Sequence, residues 1–182
     1  FKKKKIINHL HGSDFYDFLH NSPKWYRKIL LKSYDKVDTS IVLVEGMKSQ
    51  FRDFKNMRIE VVPNFYDQEL DNELIKKNEG RISLLYLSNI MVSKGIFELI
   101  DAFEQLTKKN DNIILNIAGE YLADDYMTIK QIKNKFEDKI SQNNKIKYLG
   151  KIFGNDKIKL LQGSDIFILP SYKEAFPISI IE

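Results

Sequence analysis

Short apolar, β-branched runs alternate with longer stretches of helical period along almost the whole of this 182-residue chain. Such alternation builds parallel sheets, because a strand meets a parallel neighbour only after the chain has crossed back over the sheet, and a helix makes that crossing. The expected class is α/β. Ile6–Leu10 reads as a strand entering the loop His11-Gly12-Ser13-Asp14, and Pro23–Tyr34 as a helix with Ser22 as N-cap and Pro23 at its first position. Strand Thr39–Val44, short helix Met47–Phe54 and strand Ile59–Val62 follow.

Between residues 65 and 81 the chain turns polar and carries no convincing strand, which marks a linker. Residues 1–64 then close one domain and residues 82–182 form most of a second. The second series runs through strand Ile82–Leu87, helix Ile96–Lys108, strand Ile113–Ala118, helix Met127–Ile140, strand Ile146–Leu149, helix Asp156–Leu161 and strand Asp165–Leu169. A last helix begins near Pro177. The first residue is not Met and no helix stop signal precedes Glu182, so the chain is expected to be a window of a longer protein.

Composition removes several classes of function. Hydrophobic residues at 43%, with 12 Phe and 9 Tyr, are enough for a packed core and argue against disorder. The absence of cysteine excludes disulfides and thiolate metal sites. No apolar run approaches the roughly 18–20 residues that span a bilayer, and no signal peptide is recognisable. The net charge of +4, with Lys2 to Lys5 in a row, reads first as a solvated face and second as a contact for an anionic membrane surface. Nucleic acid is not an expected partner.

In an open parallel sheet, ligands bind outside the carboxyl ends of the strands where strand order reverses. If the second domain follows the common order 3-2-1-4, that crevice lies between its first and fourth strands. Two polar loops then open onto it: Ser88-Asn89-Ile90-Met91-Val92-Ser93-Lys94-Gly95, and Pro170-Ser171-Tyr172-Lys173-Glu174-Ala175-Phe176-Pro177. Lys94-Gly95 stands before a helix, where an ammonium and the first-turn N–H groups both suit a diphosphate, although the pair taken alone reads first as an ordinary loop lysine beside a turn glycine. Glu174 and Glu182 are carboxylates that can accept hydrogen bonds from the paired hydroxyls of a ribose or a hexose, and Glu182 stands about 7.5 Å beyond Pro177 along a helix axis. His11 is the histidine placed to look across a cleft, while His9 and His20 read as ordinary structural side chains. A hydrolase triad of Ser13, His11 and Asp14 is disfavoured, because three neighbours in one tight loop cannot stack in line.

The segment Leu169 to Glu182 resembles the Pro-Ser-x-x-Glu-Gly-Phe-Pro stretch and Glu-x7-Glu motif of the family-4 retaining glycosyltransferases of GT-B architecture. Leu84 to Ile96 is similar to that family's first strand and phosphate loop, and His11-Gly12-Ser13-Asp14 to the donor-facing loop of its first domain. The resemblance runs from about Ile6 to Glu182. It implies two Rossmann-like domains and transfer of a hexose from a nucleoside-diphosphate sugar to a hydroxyl of a glycan or lipid-linked acceptor, in cell-surface polysaccharide synthesis; the expected location is cytoplasmic, with peripheral contact at the inner face of the membrane as an option. It implies no cofactor and no metal. Lys94 would hold the diphosphate beside Gly95 and Ser88, Glu174 would contact the transferred sugar, and Glu182 the ribose. His11 and Gly12 would face sugar and acceptor, the backbone at Ala175 and Phe176 would donate to sugar or phosphate oxygens, and Ile152 would touch the base. Ser88-Asn89 replaces the family's frequent Gly-Arg and so removes one positive charge. That departure leaves open a catalytically degenerate module that binds a nucleotide sugar, or a partner, without transferring anything.

Overall fold

The structure is a computed structural model and describes residues 4–65 and 80–181. Two compact units divide it, Phe1–Phe65 with Glu174–Ile178 and Tyr66–Lys173 with Ser179–Glu182. The linker read between residues 65 and 81 falls, for residues 66–79, outside the described residues.

In the first unit, β1 (Ile7–Leu10), β2 (Thr39–Val42) and β3 (Arg58–Val61) pair in parallel in the order β1-β2-β3. Two helices, α1 (Phe15–Asn21) and α2 (Lys24–Tyr34), cross from β1 to β2, and a 3₁₀ helix over Glu45–Phe51 replaces the expected helix Met47–Phe54. Helix α1 was not expected, since its run of aromatics shows no clear period and only Leu19 is fully buried. Ser22 does not cap α2. It closes α1 instead, its hydroxyl donating to the Phe18 carbonyl at 2.7 Å. Pro23 is itself extended, with φ −52° and ψ 143°, so α2 starts only at Lys24 and the N-cap falls to Pro23 rather than to Ser22. Leu19, Val42, Met47, Phe51 and Phe54 form the core, with the Phe15 ring 4.6 Å from Tyr34 and 5.0 Å from Phe51.

The second unit carries β4 (Ile82–Leu87), a 3₁₀ turn (Val92–Lys94), α3 (Ile96–Thr107), β5 (Ile113–Ala118), α4 (Ile129–Ser141), β6 (Ile146–Tyr148), α5 (Gly154–Gln162) and β7 (Ile166–Phe167). A one-turn helix, α6 (Ile178–Ile181), ends the described chain. Along β4 and β5 alternate residues point to one face, so Leu84, Tyr86, Ile113, Leu115 and Ile117 are all buried. Ile96, Leu99, Ile100 and Phe103 of α3, at helical spacing, and Ile132 and Phe136 of α4 cover that face. Helix α4 starts at a reciprocal cap in which the Gln131 backbone N–H donates to the Thr128 hydroxyl and the Thr128 backbone N–H donates to the Gln131 carboxamide. All strand pairs are parallel and the order is β6-β5-β4-β7.

Candidate functional site

From β4 the chain proceeds through α3 to β5 and then β6 on one side, and it returns through α5 to place β7 on the other side of β4. Strand order therefore reverses between β4 and β7, the position where α/β sheets bind ligands at their carboxyl ends. The loops leaving these strands meet there. The Tyr172 backbone N–H donates to the Ser93 carbonyl at 2.9 Å, and the Tyr172 hydroxyl donates to Glu98 Oε1 on the first turn of α3 at 2.7 Å.

Gly95 shows how tightly the loops fit. Its φ of 69° is left-handed, and a Cβ built on it would lie 2.1 Å from the Pro170 carbonyl oxygen. Only glycine meets both demands. At the other end of the first loop, a Cβ on Gly119 would lie 1.9 Å from the Ser88 carbonyl oxygen. The loop Ser88–Gly95 is thus clasped on one side by the chain leaving β5 and on the other by the chain leaving β7.

Lys94 ends the 3₁₀ turn and is half-buried, directly before Gly95, which stands as N-cap of α3 without any side-chain cap. A basic group thus stands beside a helix N-terminus, the arrangement that favours a phosphate. Ser88 is half-buried and its N–H donates to the Ala118 carbonyl at 3.1 Å. Asn89 is exposed, and its carbonyl accepts from the Tyr86 hydroxyl at 2.7 Å. Ile152 is half-buried in the next loop along the sheet, which Gly119 ties in by donating its N–H to the Gly150 carbonyl at 2.8 Å. Ser88, Asn89, Lys94, Gly95 and Ile152 therefore share the carboxyl end of the second sheet.

The remaining candidates among the described residues, His11, Gly12, Glu174, Ala175 and Phe176, group with the first unit. His11 follows β1, is exposed, and lies 4.1 Å from the His9 ring, and Gly12 has open space where a Cβ would stand. Glu174, Ala175 and Phe176 were read as part of the second domain and belong to the first unit. The cause is apolar burial and one hydrogen bond: Ala175 and Phe176 pack on the cluster around Phe51, and the Asn64 carboxamide donates to the Phe176 carbonyl at 2.9 Å. Glu182 lies outside the described residues. His20 is structural, stacked on Tyr16 and held by Arg27 and Asp53.

Two features escaped the sequence reading. The Ser171 hydroxyl is buried with no hydrogen-bond partner among the described residues. Asp124, in the loop between β5 and α4, accepts from the backbone N–H of Ser93 at 2.8 Å and from those of Tyr126 and Met127 at 3.1 Å each. Burial works against its charge, and these hydrogen bonds from Ser93, Met127 and Tyr126 more than offset it, holding the carboxyl below its ordinary range. The pair of contacts to Tyr126 and Met127 is an Asx turn, a local signal that the sequence could have offered. A separate hollow of about 630 Å³, lined by Glu104, Thr107, Ser141 and Lys145 among others, lies at the opposite end of this sheet from the crevice. Among the described residues no helix is long and apolar enough to cross a membrane.

Comparison with known proteins agrees with this layout. A family model described as glycosyl transferases group 1 matches residues 67–182. An uncharacterized glycosyltransferase of Methanocaldococcus jannaschii is 25% identical over 190 residues, covering 95% of this chain and 46% of that protein. A stretch of 37 residues, 20% of this chain and 9% of its relative, is 54% identical to the N,N'-diacetylbacillosaminyl-diphospho-undecaprenol alpha-1,3-N-acetylgalactosaminyltransferase of Campylobacter jejuni. The crystal structure of a UDP-forming alpha,alpha-trehalose-phosphate synthase from Burkholderia xenovorans superposes with a TM-score of 0.75 at 15% identity, over 96% of this chain and 49% of that one. That likeness establishes the fold as α/β of GT-B type with parallel sheets, as expected. The chain spans about half the length of the proteins it matches most broadly.

Proposed function

The chain belongs to the group 1 glycosyl transferases, and on that premise we propose that the full-length protein is a retaining hexosyltransferase using a nucleoside-diphosphate sugar as donor. The observation that carries this is the meeting of the loops after β4 and β7, with Tyr172 bonded to Ser93 and Gly95 seated on Pro170, beside Lys94 and the uncapped start of α3. As the bond from sugar to phosphate breaks, negative charge grows on the diphosphate. Lys94 and the first N–H groups of α3 stabilise it, with Ser88 and Asn89 lining the same loop, so the reaction needs no metal and no cofactor. Glu174 faces the transferred sugar, His11 and Gly12 the sugar and acceptor, and Glu182 the ribose. Backbone N–H groups at Ala175 and Phe176 donate to sugar or phosphate oxygens, and Ile152 borders the base. Attack comes from the face that the leaving phosphate vacates, which retains the anomeric configuration.

The acceptor in this proposal is a hydroxyl of a glycan or a lipid-linked sugar in polysaccharide synthesis. The name of the Campylobacter relative, which specifies a diphospho-undecaprenol acceptor, supports that choice. Such an acceptor sits at the cytoplasmic face of a membrane, where the Lys2–Lys5 run gives an anionic surface something to attract, although Lys2 and Lys3 lie outside the described residues. Asn89, where arginine is frequent, favours a second reading as a binding module without transfer. Release of free nucleoside diphosphate in the presence of acceptor separates the two.

Titration calorimetry of the full-length protein tests the donor site. Replacing Lys94 with alanine removes a charged partner of the diphosphate, and affinity for the nucleoside diphosphate is expected to fall roughly 10- to 100-fold, the worth of a hydrogen bond to a charged group. Unchanged affinity would remove Lys94 from the donor site.

A further inference from the structure

The main chain of Ser93, one residue before Lys94, is held from both sides. Its carbonyl accepts from the Tyr172 N–H at 2.9 Å, and its N–H donates to Asp124 Oδ2 at 2.8 Å. Asp124 is itself fixed, because its other oxygen accepts from the N–H groups of Tyr126 and Met127, and Thr128 then caps α4. Helix α4 is anchored in turn by Ile132 and Phe136, both fully buried. A continuous rigid path therefore runs from the core of the second unit, through α4 and its cap, to one carboxylate, and from that carboxylate to the loop that presents Lys94. A carboxylate accepting from backbone N–H groups makes a stronger bond than a neutral acceptor, and the depressed carboxyl of Asp124 agrees with an ionised group there.

We propose that Asp124 is the positioning residue of the diphosphate loop: it touches no substrate, and by holding the Ser93 N–H it sets the place of Lys94 and the start of α3, and hence donor affinity. This rests on the donor-site reading given above. Asparagine cannot replace it fully, because one side of a carboxamide donates and would face either the Ser93 N–H or those of Tyr126 and Met127.

The test uses the full-length protein as wild type, Asp124→Ala, Asp124→Asn, Lys94→Ala and the Asp124→Ala/Lys94→Ala double variant. Each is titrated with uridine, guanosine and adenosine diphosphates and assayed for steady-state kinetics. Asp124→Ala is expected to weaken the nucleoside diphosphate that wild type binds by about tenfold or more, the scale of a misplaced contact group, and to raise the donor KM with the acceptor KM unchanged. Asp124→Asn falls between. The penalty shrinks in the Lys94→Ala background, because a residue acting through Lys94 has little left to act on once that ammonium is gone. Wild-type affinity in Asp124→Ala, or a penalty that adds in full to that of Lys94→Ala, overturns the proposal. If Asp124→Ala does not fold, the same two comparisons are made with Asp124→Asn. A wild type that binds none of the diphosphates, or a Lys94→Ala variant that binds as wild type does, points instead to failure of the donor-site reading.

Discussion

Replacing Gly95 with alanine is expected to lower stability by about 2–4 kcal/mol and to abolish measurable donor binding, because a left-handed backbone and a blocked Cβ position act together there. The φ of 69° already penalises any L side chain, and the added methyl would sit 2.1 Å from the Pro170 carbonyl oxygen, a backbone atom with no rotamer to escape into. The loop after β4 must separate from the loop after β7, which breaks the bond from Tyr172 to Ser93 and moves Lys94 and the start of α3 away from the chain leaving β7. For a chain of this size the melting temperature should drop by about 5–15 °C. Gly46→Ala is the control, since nothing lies within 4 Å of its Cβ position and φ is unremarkable. Equal melting temperatures for Gly95→Ala and Gly46→Ala would show that the two loops do not depend on each other.

Glu174→Ala is expected to cut turnover by at least about a hundredfold, the usual loss when one electrostatic contact to a transition state is removed, while donor affinity changes by only about threefold. In the proposed transfer the sugar acquires oxocarbenium character as its bond to phosphate lengthens, and a carboxylate near that carbon would gain attraction that the ground state lacks. Glu174 is half-buried at the start of the segment that groups with the first unit, and the next two residues are fixed by the Asn64 contact and by apolar packing. A kcat equal to wild type would remove Glu174 from the chemistry. A proportionate loss of donor affinity and kcat/KM with kcat intact would make it a binding residue alone.

The parts of this fold that sequence reveals are those set by local periodicity. Ile96, Leu99, Ile100 and Phe103 mark α3 by spacing, and β4 and β5 stand out as apolar runs because a parallel strand covered by helices cannot afford polar faces. Ends were less legible. Ser22 was misread because an N-cap and the closing residue of a preceding helix look alike in sequence, and because Pro23, which usually takes the first helical position, is here extended and sits one residue before the helix. The site divides in the same way. Lys94-Gly95 before α3 is a local pattern, whereas the seat of Gly95 on Pro170 and the bond from Tyr172 to Ser93 join segments more than 70 residues apart in sequence. Asp124 is intermediate: its turn is local, but its bond to Ser93 bridges 31 residues, and no periodicity reports such a contact. The grouping of Glu174–Ile178 with the first unit depends likewise on Asn64, 112 positions from Phe176.

Hydrogen–deuterium exchange of the full-length protein, with and without a saturating nucleoside diphosphate, addresses the donor crevice most directly. Amides in residues 88–97 and 170–173 should slow together on binding, and those lining the hollow at Glu104–Lys108 and Ser141–Lys145 should not change. Protection confined to that hollow, or binding that leaves residues 88–97 exchanging at their free rate, would contradict a donor site between β4 and β7.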